Sequence, residues 1–355
     1  MKDIKEAIRS LASSIGREVK LMEVCGTHTA AIFRHGLRGI LPHEIALISG
    51  PGCPVCVTSI KDVDTAIAIS RLPGVTLATF GDMMGVPGAE GSLYTAKAGG
   101  SDIRVVYSPL DALDIAGKEK GKNVVFFATG FETTSPSIGA TILEAERRKI
   151  KNFFIYSVHK TIPPALKALL DFKDISIDGF ILPGHVSAII GSLPYEFIAR
   201  DYGKPSVITG FEAEDILEAI LLLLRQRASG KAAVEIQYGR AVKEDGNLRA
   251  LSIIDECFKP CDARWRGIGV IPGSGLGLRE KFMHRDAKEV FGIDVPERPE
   301  PKGCMCGDVM RGVRVPTECP LFGKKCLPET PVGACMVSME GSCAVYYRFG
   351  GPKVG

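Results

Sequence analysis

The chain predicts an α/β protein: two related parallel-sheet βαβ domains followed by a third, cysteine-rich domain. Three observations lead there. Short β-branched runs alternate with segments of helical periodicity as far as residue 230, the pattern of βαβ units around a mostly parallel sheet. The stretches Ala128-Thr129-Gly130-Phe131-Glu132 and Ile208-Thr209-Gly210-Phe211-Glu212 echo each other, each set after a strand and before a helix, a short internal repeat. Six of the 11 cysteines crowd between Cys304 and Cys343.

In chain order, Ile4, Ala7, Ile8, Leu11 and Ile15 recur at helical spacing, so residues 3–17 read as an amphipathic helix ended near Gly16, and segment 1–18 is expected to dock on the body. Strands at Val19–Val24, Ile45–Ser49, Val75–Phe80 and Ile103–Tyr107, with a helix carrying Ile60, Val63 and Ile67, make the first α/β domain, 19–118. Lys118–Lys122, charged and glycine-flanked, reads as a hinge. Strands at Val124–Ala128, Phe153–Val158, Gly179–Leu182 and Ser206–Thr209, closed by a helix over Ala213–Gln226, make the second domain, 119–230. The rhythm then stops. Val270–Gly277 reads as a glycine-rich turn, lacking both the Walker lysine and the G-x-G-x-x-G spacing. Val295–Pro301 holds three prolines and reads as an extended linker within the third domain, 231–355.

Composition narrows the function. With 45% hydrophobic and 24% charged residues the 355-residue chain is of ordinary globular make-up. A net charge of +3, without basic clusters, argues against a nucleic-acid partner. Met1–Glu6 lacks the apolar core of a secretory leader, and the longest aliphatic run, Ile220–Leu224, is too short to span a bilayer. A cytoplasmic protein without membrane association is expected. In that reducing compartment the cysteines point to metal binding or thiol redox chemistry rather than a disulfide framework.

The tail reads Cys304-x-Cys306, Cys319, Cys326, Cys335 and Cys343, interspersed with Pro320, Pro328 and Pro331. It has no C-x-x-C knuckle of the zinc type, and irregular spacing suits an iron–sulfur cluster, whose four thiolate ligands reach a cube from one winding chain. Two thiols are then left for a redox pair; the plainer alternative is structural zinc with spare buried thiols. Cys53-Pro54-Val55-Cys56 has the spacing for a small disulfide ring, or for half a zinc knuckle completed by Cys25 and His28. Cys25 ends a strand and precedes a helix, where the positive helix N-terminus favours thiolate, and His28 can share its side of the first turn. Glu132 with Thr133-Thr134, His159, and Pro183-Gly184-His185-Val186-Ser187 also follow strands. They can converge on one crevice at the strands' carboxyl ends, although for each alone the plainer reading, a helix cap or a histidine completing a hydrogen-bond network, wins.

Taken together, Glu23-Val24-Cys25-Gly26-Thr27-His28-Thr29, Gly50-Pro51-Gly52-Cys53-Pro54-Val55-Cys56, Gly130-Phe131-Glu132-Thr133-Thr134, Pro183-Gly184-His185-Val186-Ser187 and Cys319-Pro320-Leu321-Phe322-Gly323 resemble the HypD family of hydrogenase maturation factors, from Glu23 to Tyr347. The resemblance implies an assembly role rather than turnover of a metabolite. With the small chaperone HypC, the protein would be the scaffold on which Fe(II) acquires cyanide and carbon monoxide, giving the Fe(CN)2CO unit of a [NiFe] hydrogenase. HypE, loaded by HypF, would supply the cyanide. Carried over by residue, Cys25 would hold the iron, sharing it with a HypC cysteine, because a soft thiolate suits low-spin Fe(II). Cys53 and Cys56 would be a redox dithiol; Cys304, Cys319, Cys326 and Cys343 would ligate a [4Fe–4S] cluster, with Cys306 and Cys335 as a redox pair beside it. His28, Glu132 and His185 join the site by their motifs. The chain departs from the family pattern at Ser59, where proline is expected, and at Ala30, where a second histidine often stands. Cys257 and Cys261 match no family motif. Two rivals differ in class: an iron–sulfur-dependent protein disulfide reductase, in which Cys25 is dispensable, and a zinc-stabilised binding module without redox function.

Overall fold

The apolar runs form strands close to where the sequence places them: β1 Val19–Glu23, β2 Ile45–Ser49, β3 Val75–Thr79, β4 Asp102–Val105, β5 Asn123–Ala128, β6 Phe153–Ser157, β7 Gly179–Pro183 and β8 Ser206–Thr209. A further strand, β9 Val234–Ile236, is short and only partly buried, so no periodicity announced it. This computed structural model describes residues 2–173 and 175–350; Met1, Asp174 and the last five residues of the expected third domain lie outside the described residues.

Two parallel sheets result, but the strands are shared out differently from the expected division at 118/119. One sheet runs β2-β1-β7-β8-β9 and the other β4-β3-β5-β6. The chain lays down β1 and β2, leaves to build the whole second sheet, and returns at Gly179, where β7 pairs with β1 in the register Leu21↔Gly179. Burial explains the order. β3, β7 and β8 are buried along their full lengths, as inner strands covered on both faces must be, whereas β2 and β4 alternate or fray toward solvent as edges. Lys118–Lys122 is not a hinge: it links the helix Pro109–Lys118 to β5 within one sheet. Arg104 binds both Asp102 and Glu119 there, and Lys122 reaches Asp102 at 2.8 Å.

The helix Lys2–Ile15 buries Ile8 and Ala12 in a cluster with Ile216, Leu217 and Ile220 of the helix Ala213–Ser229 and with Leu21, Leu47 and Ile181 of the first sheet. A second cluster joins Ala78, Phe126 and Ile155 to Ile138 and Ile142. The largest unites Met22, Phe180 and Ile208 of one sheet with Leu77, Val125 and Phe127 of the other, and extends into the tail at Cys306, Cys335 and Cys343. Each such side chain contributes roughly 1.5–3 kcal/mol on burial, so the tail is held to the sheets by apolar packing. Among the described residues no helix is long and apolar enough to cross a membrane.

Val270–Gly277 is not a turn. It lies in β11 (Gly269–Leu278), antiparallel to β10 (Phe258–Trp265). A Cβ at Gly275 would stand 2.8 Å from the Cβ of Ala263 and 3.1 Å from the sulfur of Cys261, so the glycine there serves close packing. Gly273, at φ +64°, sits at the bulge where the register shifts between Cys261 and Ala263.

Candidate functional site

The carboxyl end of β1 hands the chain to the helix Gly26–Arg34 with Cys25 as its N-cap, in an extended conformation. Next to it runs the loop leaving β2. Gly50 N–H donates to the Glu23 carbonyl at 2.9 Å and Gly26 N–H to the Gly52 carbonyl at 3.1 Å. A Cβ on Gly52 would fall 2.4 Å from the Cys25 nitrogen; only glycine lets the two backbones meet. The loop enters the short helix Pro54–Val57, capped by Cys53, whose sulfur accepts from Cys56 N–H at 3.2 Å. Cys53 and Cys56 are joined as a disulfide, and both are buried. Ser59, the departure from the family pattern, caps the following helix Ile60–Ser70 by accepting from Asp62 N–H at 3.1 Å.

His28 is fully buried; its Nε2–H donates to the Gly210 carbonyl at 2.9 Å, at the end of β8. A carbonyl can only accept, so Nδ1 is the bare nitrogen, and it has no partner among the described residues. Burial lowers the His28 pKa to about 4, so the ring is neutral. It stacks on Phe211 with ring centroids 4.6 Å apart, and His185, after β7, stacks on the same phenylalanine at 3.9 Å. From the far end of the chain Glu340 closes the group: its carboxylate accepts from the Thr27 hydroxyl at 2.7 Å, and its main chain abuts Gly26. Burial pushes the Cys25 thiol up to about 11, and the nearby Glu340 charge adds to this; the Thr27 hydroxyl and the helix-start amides of Thr27 and His28 oppose it. The expected preference for thiolate is therefore reversed in the metal-free chain.

Glu132, after β5, lies on the second sheet's side. One oxygen accepts from Ile162 N–H at 2.9 Å while Oε2 is unpartnered, and burial raises its pKa to about 7. Tyr195, in the core that joins the two sheets, is fully buried with an unpartnered hydroxyl, and burial pushes its pKa up. His159 stands apart, its Nδ1 on Ser157 at 3.0 Å and its ring edge-on to Phe258.

In the tail, Cys304, Cys306, Cys319, Cys326 and Cys343 line one small apolar cavity with Leu321, Phe322 and Met336. Cys335 lies just behind it, fully buried, its N–H donating to the Cys306 sulfur at 3.4 Å; Val332 N–H donates to Cys326 at 3.3 Å. A Cβ on Gly333 would come 2.7 Å from the Cys304 sulfur and 3.0 Å from that of Cys306, so the glycine leaves the wall open where the thiols converge. Among the described residues no three donors already surround a common metal position. The thiols perturb one another: Cys343 is pulled down by Cys306 and Cys335, and Cys304 is raised by Cys306 and by burial. An all-thiol donor set around an apolar cavity fits an iron–sulfur cluster and offers no oxygen ligands for a hard cation.

A family profile described as HypD, hydrogenase formation hypA family, matches residues 1–350. The chain belongs to the HypD family. It is 47% identical to hydrogenase maturation factor HypD of Rhodobacter capsulatus, over 99% of this chain and 96% of that one. It is 45% identical to a putative hydrogenase expression/formation protein of Methanocaldococcus jannaschii, over 97% and 95%, and 43% identical to HypD of Escherichia coli, over 98% and 93%. Of the candidates taken from the HypD motifs, the structure brings Cys25, His28, Cys53, Cys56 and His185 to the carboxyl ends of the first sheet. Glu132 lies after β5 in the second sheet, and the six tail thiols form a group of their own. Glu340, Phe211 and Tyr195 were missed. Phe211 could have been found from its place in the repeated Thr-Gly-Phe-Glu stretch; nothing in the spacing marks Glu340, whose partner Thr27 is 313 residues away.

Proposed function

We propose that the chain is the scaffold on which, together with HypC, the Fe(CN)2CO unit of [NiFe] hydrogenases is assembled. The observation that carries the reading is the meeting of Cys25 with the Cys53–Cys56 loop through Gly52, ringed by His28, Phe211, His185 and Glu340. Iron is the cargo, and the Cys25 sulfur is the ligand this chain offers it, with a HypC cysteine as the second. Because burial holds Cys25 as a thiol, the incoming dication displaces its proton. The helix-start amides and the Thr27 hydroxyl then face a thiolate, which favours the bound state. Neutral, buried His28 and the ring of Phe211 wall the position, and the solvent-exposed His185 stacks on the same phenylalanine. HypE, loaded by HypF, is the cyanide donor in this reading.

Cys53 and Cys56 hold two electrons' worth of reducing capacity when opened to the dithiol, one loop away from Cys25. In the tail Cys304, Cys319, Cys326 and Cys343 are the residues that would hold a [4Fe–4S] cluster, with Cys306 and Cys335 as the adjacent redox pair. The cluster, when bound, supplies single-electron redox chemistry. The contact between Cys335 N–H and the Cys306 sulfur supports that pairing, and the apolar lining of the cavity supports the exclusion of water. The rival reading, a disulfide reductase acting on a diffusible protein, is disfavoured by the burial of both Cys53 and Cys56, which leaves a protein substrate no access to their sulfurs.

Infrared spectroscopy of the anaerobically purified chain with its HypC partner tests the scaffold reading. Cyanide and carbonyl stretches in the wild type that vanish in Cys25→Ala are the expected result. Bands that survive the substitution would move the iron elsewhere, and none from a host making hydrogenase would return the disulfide reductase to first place.

A further inference from the structure

We propose that Tyr238, just past β9, is a positioning residue for the iron site: its ring props the Gly210–Phe211 turn on which His28 rests. The inference deepens the scaffold reading above and rests on it for the effect at iron. The ring fills a gap between the ends of two neighbouring strands. On one edge a Cβ on Gly184, after β7, would lie 2.9 Å from Cδ1 of Tyr238; on the other a Cβ on Gly210, after β8, would lie 2.8 Å from Cδ2. Glycine at both positions leaves room for an aromatic ring, which gives a reason for it in the Pro183-Gly184-His185 and Thr209-Gly210-Phe211 stretches alike. Tyr238 then meets Phe211 edge-on, with ring centroids 6.1 Å apart and planes at 81°, a favourable arrangement of two aromatic quadrupoles.

The ring is itself held from outside. The Arg240 guanidinium lies 4.4 Å from its centroid and binds the buried Asp215 through two parallel bonds, Nη1 to Oδ1 at 2.9 Å and Nη2 to Oδ2 at 2.5 Å. Asp215 also accepts from Gln237 Nε2 at 2.9 Å, and Gln237 Oε1 in turn accepts from Gly210 N–H at 3.3 Å. Gly210 is thus gripped from both sides. Gln237 and Tyr238 hold it from the outside, while its carbonyl accepts from His28 Nε2–H on the inside. Phe211, half-buried, stacks on His28, which lies in the first turn of the helix capped by Cys25. Without the Tyr238 ring, Gly210 and Phe211 gain room to swing outward, and the imidazole loses the support of both its carbonyl acceptor and its stacking surface. Tyr238 acts on the iron position through these two residues, without touching the metal.

The test takes the full chain, purified with HypC and without air from a host making hydrogenase, and reads the iron-ligand infrared bands. Imidazole nitrogen magnetic resonance of the metal-free chain is recorded beside it. Tyr238→Leu is expected to lose most of the band intensity, to shift the frequencies of what remains, and to lose the slowly exchanging Nε2–H signal of His28. Tyr238→Phe keeps the ring and drops a hydroxyl that has no partner among the described residues, so it is expected to retain all three. Arg240→Met is expected to move them in the same direction by less. A Tyr238→Leu chain that melts earlier but keeps the bands, their frequencies and the His28 signal would have lost only a packing residue, and the proposal would be overturned. Should Tyr238→Leu fail to fold, Arg240→Met decides, since the Arg240 side chain is 56% exposed: bands and His28 signal that stay unmoved refute the idea. A wild type without bands defeats the scaffold reading instead, and the His28 signal of the variants then decides whether Tyr238 holds the imidazole in place.

Discussion

At Cys25 two effects oppose each other. A helix N-terminus stabilises a nearby anion by about 0.3–1 kcal/mol, whereas a thiol raised from 9.0 to about 11 reflects a burial cost of roughly 2–3 kcal/mol. Burial wins, so in the metal-free protein Cys25 is expected to react with iodoacetamide far more slowly than a solvent-exposed thiol near neutral pH, as peptide mass spectrometry would show; rapid labelling would contradict this. Glu132 gives a sharper pH test. Its pKa rises from 4.5 to about 7 on folding, so between those values the folded chain keeps a proton that the unfolded chain has lost. The contribution of Glu132 to stability therefore falls as pH rises through that window, opposite in sign to that of the buried His28 and His159, whose pKa values are lowered. Glu132→Gln should remove that contribution, its stability relative to wild type improving by up to about 3 kcal/mol between the two ends in urea melts. The position of Cys25 and Glu132 after strands was legible from neighbouring residues. Their protonation was not, because depth is set by parts of the chain far away.

Strands and long helices were read from local pattern with small errors at their ends, since apolar periodicity and burial are two faces of one fact. The hairpin β10–β11 was read as a turn because glycine is ambiguous: Gly273 does turn the backbone, but Gly275 is there for want of space. The same distinction governs Gly52. Adding a methyl group against the Cys25 main chain forces the loop away, so Gly52→Ala should cost about 1–3 kcal/mol in denaturant melts and weaken the iron-ligand infrared bands more than its loss of stability alone would. At the N-terminal helix, truncating the fully buried side chain in Ile8→Ala should cost about 2–5 kcal/mol while leaving those bands in place, because Ile8 packs in a cluster that does not include Cys25.

At the scale of the molecule, the parallel α/β character was legible and the partnering of strands was not. Alternation says that β1 is a strand; it cannot say that its neighbour is β7, because every inner strand carries the same kind of apolar run. The expected first domain, 19–118, accordingly leaves β1 without β7 and β3 without β5. A fragment ending at Lys118 should show neither cooperative melting nor dispersed amide resonances, and a well-folded fragment would refute the interleaved topology. The same interleaving bears on synthesis. Thr27 leaves the ribosome 313 residues ahead of the glutamate it binds, and His28 precedes its carbonyl partner by 182. The pocket around Cys25 thus has no nascent form. Its roof is translated 313 residues after Thr27, so the pocket cannot close until Glu340 has been made and folded back.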